Sequence, residues 1–448
     1  MRYTPQTELD QKRMLQAIGL ERVEQLYEHI PQGLRAHATI TLPAGLTEPA
    51  VKHRLAALAS KNAAAGEWSF FLGGGVYQHF IPSAVDAVIS RSEFLTSYTP
   101  YQPEVSQGTL QVLYEFQTLM CQLTGMEVSN AGVYDGASAA AEAVLMSRRI
   151  QRDSRRRVLL SRALHPQYRA VIVTYLKNLG DVELIEVPFA ADGATDVERL
   201  ASMLDDRAMC AVVGYPNFFG VIEDLSALHA ACAGAGAQLI SVTSEPLALG
   251  LLKPPGAYGI DIAVGEGQSL GVPMNLGGPA FGFFTARKKL MRNLPGRLVG
   301  ETVDTEGRRG FVLTLATREQ HIRRDKATSN ICTSQTLCTT AATVYLSLLG
   351  RTGLRRIAEV NVTRAHETHA RLIKEAGLAS CFSGPFFNEF VLRVRDLARL
   401  EKRCAADKIV PGIALAQWYP ELPDGLLVCV TEMNEKEEID RLVRDLSD

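Results

Sequence analysis

Ile260-Asp-Ile-Ala-Val-Gly-Glu-Gly-Gln268-Ser-Leu-Gly-Val-Pro-Met-Asn-Leu-Gly-Gly-Pro279 is the stretch that decides how this chain is read. Residues 260–264 form a short apolar run, as a buried strand requires. A polar elbow comes next and holds Gln268. A Gly-rich return then leads into Ala280-Phe-Gly-Phe-Phe-Thr285. A return that short cannot contain a crossover helix, so the strand after it is expected to run antiparallel. Upstream, apolar runs at 158–160, 182–187, 209–213 and 239–242 alternate with helical patterns near 166–179, 196–205 and 223–233. A further helix is expected from about Gly136 to Gln151. This alternation predicts an α/β fold with a mostly parallel sheet and helices on both faces.

The flanks read differently. Residues 1–70 form an N-terminal helical segment, with Leu15, Ile18, Leu26 and Ile30 on apolar faces and breaks at Pro31 and Pro43. Leu113, Phe116, Met120 and Leu123 keep the helical period, and Gly125 is placed to stop that helix. The large α/β domain is assigned to 71–334. Residues 335–448 supply interdomain helices, interrupted near Gly350 and Gly353, and a small C-terminal α+β domain. Its strands are expected at 390–394 and 426–430, with a helix at 395–408 between them. A closing helix is expected to open at Asn434, with Glu437 in capping-box spacing.

The net charge of −2 gives no reason to expect nucleic-acid or membrane-surface binding. One basic cluster (Arg148, Arg149, Arg152, Arg155, Arg156, Arg157) surrounds the end of the helix near 151, and reads as a solvated helix end or as an anion site. The eight cysteines are scattered without a CxxC pair, which argues against a metal site and for reduced thiols. With no apolar signal core and no apolar run of membrane-spanning length, a cytoplasmic location is expected.

Three spots fit a phosphate-bearing pocket at the carboxyl ends of a parallel sheet. Gly136 and Ser138 open a helix, where free N–H groups favour an anion, although the same residues also serve as a plain cap. His165 comes after the 158–160 strand and reads as a ring-stacking residue or as a loop histidine. Gln268 marks the elbow. A second set lies between Arg318 and Ser334, dense in Arg, Lys and hydroxyl groups. It suits phosphate or carboxylate binding, or a solvated linker.

The motifs FLGGGVYQHFIP (71–82), RSEFLTSYTPYQPEVSQGTLQ (91–111), YDGASAAAEA (134–143), GQSLGVPMNLGGPAFGFF (267–284), MRNLPGRLVGETVD (291–304) and TREQHIRRDKATSNICTSQ (317–335) span most of the chain. Through them the chain resembles the glycine-cleavage P-protein family, glycine dehydrogenase (decarboxylating). Within it the likeness is to the N-terminal half of the fused protein, which is the subunit 1 (alpha) type of the two-subunit bacterial form. The resemblance implies a fold-type-I pyridoxal-phosphate transferase-like architecture, with a large seven-stranded domain and a small C-terminal domain. It places the family's Schiff-base lysine on Gln268. An amide nitrogen is not a nucleophilic amine, so no catalytic residue is assigned to this chain. The family's carboxylate for the pyridine nitrogen is also missing, because Ser241, Val242, Thr243 and Ser244 stand there and the first carboxylate is Glu245.

The resemblance also implies a division of labour. Pyridoxal phosphate is expected in a lysine-bearing subunit 2 (beta), in an α2β2 heterotetramer. There glycine is decarboxylated and its aminomethyl group passes to the lipoyl H-protein. Gly136, Ser138, His165 and Gln268 would then be a vestigial pocket. Tyr98, Tyr101 and Gln102, with Thr328, Ser329 and Asn330, are the candidates for reaching into the partner's site. Arg323, Arg324 and Lys326 are candidates for binding phosphate or steering H-protein. Two other readings stand beside this one: a purely structural partner subunit, and a self-sufficient pyridoxal-phosphate enzyme using Lys253, Lys288 or Lys289.

Overall fold

The computed structural model describes residues 5–38, 41–151, 155–275 and 277–447. Arg152 of the basic cluster and Leu276 of the return lie outside them. The chain divides into two compact units, Met1–Ala63 and Ala64–Asp448.

The first unit carries the helices Glu8–Ala17, Gln32–His37 and Glu48–Ala59. Thr7 caps the first in a reciprocal box with Asp10, which satisfies two otherwise unpaired N–H groups. Leu15 is buried, whereas Ile18 and Leu26 are exposed.

The second unit is built on a seven-stranded sheet. In chain order its strands are β1 (Val128–Ser129), β2 (Arg157–Ser161), β3 (Glu183–Val187), β4 (Ala208–Gly214), β5 (Gln238–Thr243), β6 (Ile262–Glu266) and β7 (Gly282–Ala286). Their spatial order is β1-β7-β6-β5-β4-β2-β3. Every neighbour pair from β6 to β3 is parallel, and β7 runs antiparallel to both β6 and β1, as the short return requires. The strand before the elbow begins and ends two residues later than its apolar run suggests. Glu266 is therefore its last residue.

Helices α1 (Gln107–Thr124), α2 (Gly136–Ile150), α3 (Pro166–Leu176), α4 (Val197–Met203) and α5 (Leu225–Gly234) cover the sheet. Both faces are buried, which the strand sequences show as alternation between two cores. Val158, Leu160, Val212, Ile240 and Val264 pack with Ala139, Ala140, Ala143 and Val144 of α2. Leu159, Ala211, Val213 and Leu239 pack with Phe116 and Met120 of α1 and Leu228 of α5. The run of alanines lets α2 lie close to the strands. Gly125 ends α1 at φ 68°, the left-handed conformation that suits glycine.

Three of the described arginines of the basic cluster are ion-paired. Arg148 and Arg156 both meet Asp181, at 2.8 and 3.0 Å, and Arg157 reaches Glu183 and Asp205.

The segment α6 (Thr336–Lys374) is two helices joined at Gly350, whose φ of 57° and ψ of −174° break the ladder. Beyond it lies a four-stranded sheet in which Glu389–Arg393 and Gly425–Cys429 are central and antiparallel. Helices α7 (Leu397–Ala406) and α8 (Lys436–Leu446) pack on it. The capping box of α8 joins Glu435 to Glu438, one residue later than the Asn434–Glu437 spacing suggests. Asn434 is engaged elsewhere, donating from its side chain to the carbonyl of Phe70.

Candidate functional site: a filled pocket at the end of β6

Gln268 lies two residues past Glu266 and is buried. Its Oε1 accepts from the Tyr77 N–H at 2.8 Å, and its Nε2 donates to the carbonyls of Tyr77 (3.1 Å) and Val272 (2.7 Å). An amide offers an acceptor and donors at once, so it satisfies both polar groups of the Tyr77 backbone. A lysine ammonium has no acceptor and would leave the Tyr77 N–H without its partner.

The loop anchored in this way fills the space in front of the elbow. Glu389, at the start of a central strand of the small sheet, accepts from the Gly74 N–H (2.6 Å) and the Tyr77 hydroxyl (2.9 Å). A Cβ on Gly73 would stand 2.1 Å from Glu389 Oε1, so only glycine fits there. Burial pushes the Glu389 carboxyl up to about 7, with the N–H of Gly74 and the Tyr77 hydroxyl opposing the rise. His79 is held between Glu245 and Glu432, at 2.8 Å from each. Burial pulls the imidazole down, but the two carboxylates outweigh it and raise it to about 10. For Glu432, burial pulls up, while His79, the Phe80 N–H and Asn361 bring it to about 2. Glu245 also accepts from the Ser269 hydroxyl at 2.9 Å, which ties the loop to the elbow a second time.

Gly136 and Ser138 stand at the start of α2. The side chain of Asp135 caps the Ser138 N–H at 2.7 Å. The Gly136 N–H donates to Glu266 Oε2 at 2.9 Å, and Glu266 Oε1 accepts from Gly267 (3.0 Å) and Gln268 (3.1 Å). His165 is buried under the same loop. Its Nδ1 accepts from the Gln167 N–H (3.1 Å), so Nε2 carries the hydrogen and donates to the Gly74 carbonyl at 2.6 Å. Burial pushes this imidazole down to about 4. The ring stacks on Tyr168 with centroids 4.6 Å apart, and Phe218 meets it edge-on. The four residues of the expected pocket are thus brought around one place, and the chain's own side chains and loop occupy it.

The second set gathers around Arg297. Tyr101 accepts from Arg297 through its hydroxyl at 2.7 Å and lies under the guanidinium, with His321 edge-on to its ring. Arg297 and Glu319 are both buried and lie 3.7 Å apart. Glu319 lines a cavity of about 10 Å³ with Thr328, Ser329, Gly296 and Arg318, room for a single water. Tyr101 and Thr328–Ser329 therefore meet through the Arg297–Glu319 pair. Tyr98, Gln102 and Asn330 are exposed, as are Arg323, Arg324 and Lys326.

Glu266, Tyr77, His79, Glu389 and Glu432 do not stand out in the sequence. The one local signal is a carboxylate ending an otherwise apolar strand. The partners of the others lie hundreds of residues away. The lysines of the self-sufficient reading are engaged elsewhere: Lys253 lies over the Tyr258 ring at 4.1 Å and Lys289 pairs with Asp261, while Lys288 is exposed.

A family model described as "Glycine cleavage system P-protein" matches residues 1–446. The chain belongs to the glycine cleavage system P-protein family. A probable glycine dehydrogenase (decarboxylating) subunit 1 from Geobacillus kaustophilus (strain HTA426) is 50% identical over 448 residues, covering 100% of this chain and 99% of the relative. A solved P-protein, a glycine decarboxylase of the glycine cleavage system in inhibitor-bound form, is 44% identical. It superposes with a TM-score of 0.91 over 100% of this chain and 99% of that one. A sphingosine-1-phosphate lyase from Burkholderia pseudomallei K96243 shares the fold at 16% identity, with a TM-score of 0.65 over 93% of each chain. P-protein architecture is thus a fold-type-I one, and the seven-stranded sheet of this chain is its centre.

Proposed function

We propose that this chain is the non-lysine subunit of a two-subunit glycine dehydrogenase (decarboxylating) of the glycine cleavage system. The observation that carries the reading is Gln268. It stands at the elbow after β6, buried, with its amide engaged on both sides, in a chain that matches subunit 1 relatives along their whole length.

Pyridoxal phosphate does not fit this chain's own pocket. Gln268 stands where an amine is needed, Glu266 holds the Gly136 amide at the start of α2 and the Gly267 amide of the elbow, and the 73–77 loop is tied to Gln268 and Glu389. The cofactor belongs to the lysine-bearing subunit 2, where it would supply the electron sink for decarboxylation. The assembly is read as α2β2, with lipoyl H-protein as the acceptor of the aminomethyl group. In it, Tyr98, Tyr101 and Gln102 wall the partner's site and exclude water, while Thr328, Ser329 and Asn330 offer hydroxyl and amide groups to a bound anion. Arg297 supports this arrangement by fixing the Tyr101 hydroxyl.

The test is co-production with the lysine-bearing subunit. Copurification and glycine-dependent decarboxylation by the pair, with neither activity nor a borohydride-trapped Schiff base in this chain alone, is the expected result. A Schiff base trapped on this chain alone would sink the reading. Full activity of a pair carrying both Tyr98→Ala and Thr328→Ala would remove the shared site and leave a structural subunit.

A further inference from the structure

The start of α2 is where a ligand phosphate would sit in a pocket of this architecture, because unpaired N–H groups and the helix dipole converge there. In this chain a carboxyl group already holds the place, and it is an anion above about pH 7. Three backbone N–H groups from two separate segments, Gly136 of the helix and Gly267 and Gln268 of the elbow, point at the single carboxylate of Glu266 at 2.9, 3.0 and 3.1 Å. The cradle is shaped for this close approach. A Cβ on Gly136 would stand 2.5 Å from the Tyr168 hydroxyl and 2.8 Å from the Glu266 nitrogen. Glu266 is 5% exposed, so water does not compete for the same donors.

We infer that Glu266 is a built-in anion seated in the place of a ligand phosphate, and that it closes this subunit's cofactor pocket from within. The family reading enters only as the place where a phosphate would lie. The closure goes beyond the missing lysine, because lysine loss removes the covalent bond and leaves the phosphate cradle intact. A pocket with its cradle free would still take up phosphorylated ligands without chemistry. Glu266 prevents this by holding three donors that a phosphate needs. The nearby loop acts alongside it: its Gly74 carbonyl accepts from the His165 N–H, and the His165 ring is already stacked on Tyr168. Asp135, which caps the same helix, adds a second negative charge and further disfavours an incoming dianion.

The test is chemical rescue of Glu266→Ala in the full-length chain assembled with its second subunit. Melting temperature is tracked at pH 8, where Glu266 is ionised, against inorganic phosphate and, separately, acetate, with chloride at matched ionic strength as the reference. The expected result is a lower melting temperature for the variant in chloride. Both anions should then restore it saturably, by about 1.5 °C at ten times the half-saturating concentration. Wild type and Glu266→Gln, in which the seat is still filled, should show no such anion-specific rise. Rescue by acetate but not phosphate would overturn the phosphate assignment, and no rescue by either would overturn the anion seat. An equal phosphate effect on wild type would show that Glu266 does not close the cradle. If Glu266→Ala fails to fold in chloride, it is refolded in phosphate; recovery supports the inference and no recovery overturns it. Decarboxylation is never the readout, so failure here leaves the two-subunit assignment standing.

Discussion

The side chain of Gln268 bonds both polar groups of the Tyr77 backbone, accepting from its N–H at 2.8 Å and donating to its carbonyl at 3.1 Å. A side-chain amide here does the work of a neighbouring strand. It is the reason that the residue cannot be exchanged for a lysine without cost.

Gln268→Lys is expected to destabilise the chain by roughly 2–4 kcal/mol, because it buries an ammonium and orphans the Tyr77 N–H. Urea unfolding of the purified variant measures this. Addition of pyridoxal phosphate and borohydride should trap nothing on it. A variant as stable as wild type would show that the loop does not depend on the amide.

The buried ionisable groups set the sign of the pH dependence. Glu223, Glu266 and Glu389 are raised to about 7, chiefly by burial. Each stabilises the fold most below the unfolded carboxyl value, and that contribution is lost as pH rises through about 7. His79, raised to about 10, contributes fully below its unfolded value near 6.5 and is lost as pH rises through 10. Glu432, lowered to about 2, contributes above its unfolded value and is lost as pH falls through 2. Melting temperature should therefore fall between pH 5 and 10. Glu389→Gln, whose amide can still serve Gly74 and Tyr77, should flatten the part below pH 7. A steeper fall in that variant would contradict the assignment.

Gly73→Ala places a methyl group 2.1 Å from Glu389 Oε1 and 2.8 Å from the Cys429 Cβ. A shift of the loop is forced, and a loss of about 1–3 kcal/mol is expected. Gly108→Ala, with open space around its Cβ in α1, serves as the control and should be neutral or slightly stabilising. Thermal unfolding of the two variants side by side decides it.

Tyr101→Phe removes the hydroxyl that meets Arg297, which is 3% exposed. The stranded guanidinium N–H should cost about 1–3 kcal/mol of stability. If the Tyr101 ring walls the partner's site, the assembled pair should also lose roughly tenfold or more in decarboxylation rate. A loss of stability with unchanged rate would confine Tyr101 to a structural role.

Much of the α/β architecture is legible in local pattern. Apolar runs near 158, 209 and 239 alternate with helical stretches, and the short return after Gln268 sets the direction of β7. Boundaries are less so. The strand before the elbow reaches Glu266 because backbone pairing with β5 and β7 continues past the apolar run. The box of α8 falls on Glu435 because the Asn434 side chain is committed to Phe70. The filling of the pocket cannot be read from the sequence, since it depends on contacts between distant segments. Gly74 and Glu389 are 315 residues apart, and His79 and Glu432 are 353 apart. Nothing in the local sequence of either partner announces the other.

Glu266, Gln268 and the 73–77 loop hold one another in place, and this gives the subunit's specialisation a direction. Any single step back toward an independent enzyme disturbs groups that the other two still hold. A lysine at 268 meets a loop that needs an amide, and an emptied position 266 leaves three amides without an anion. Interactions this tightly shared are not additive, so changing all three differs from the sum of the single changes. On the two-subunit reading, packing around Gln268 joins the missing amine as a reason for dependence on a second chain.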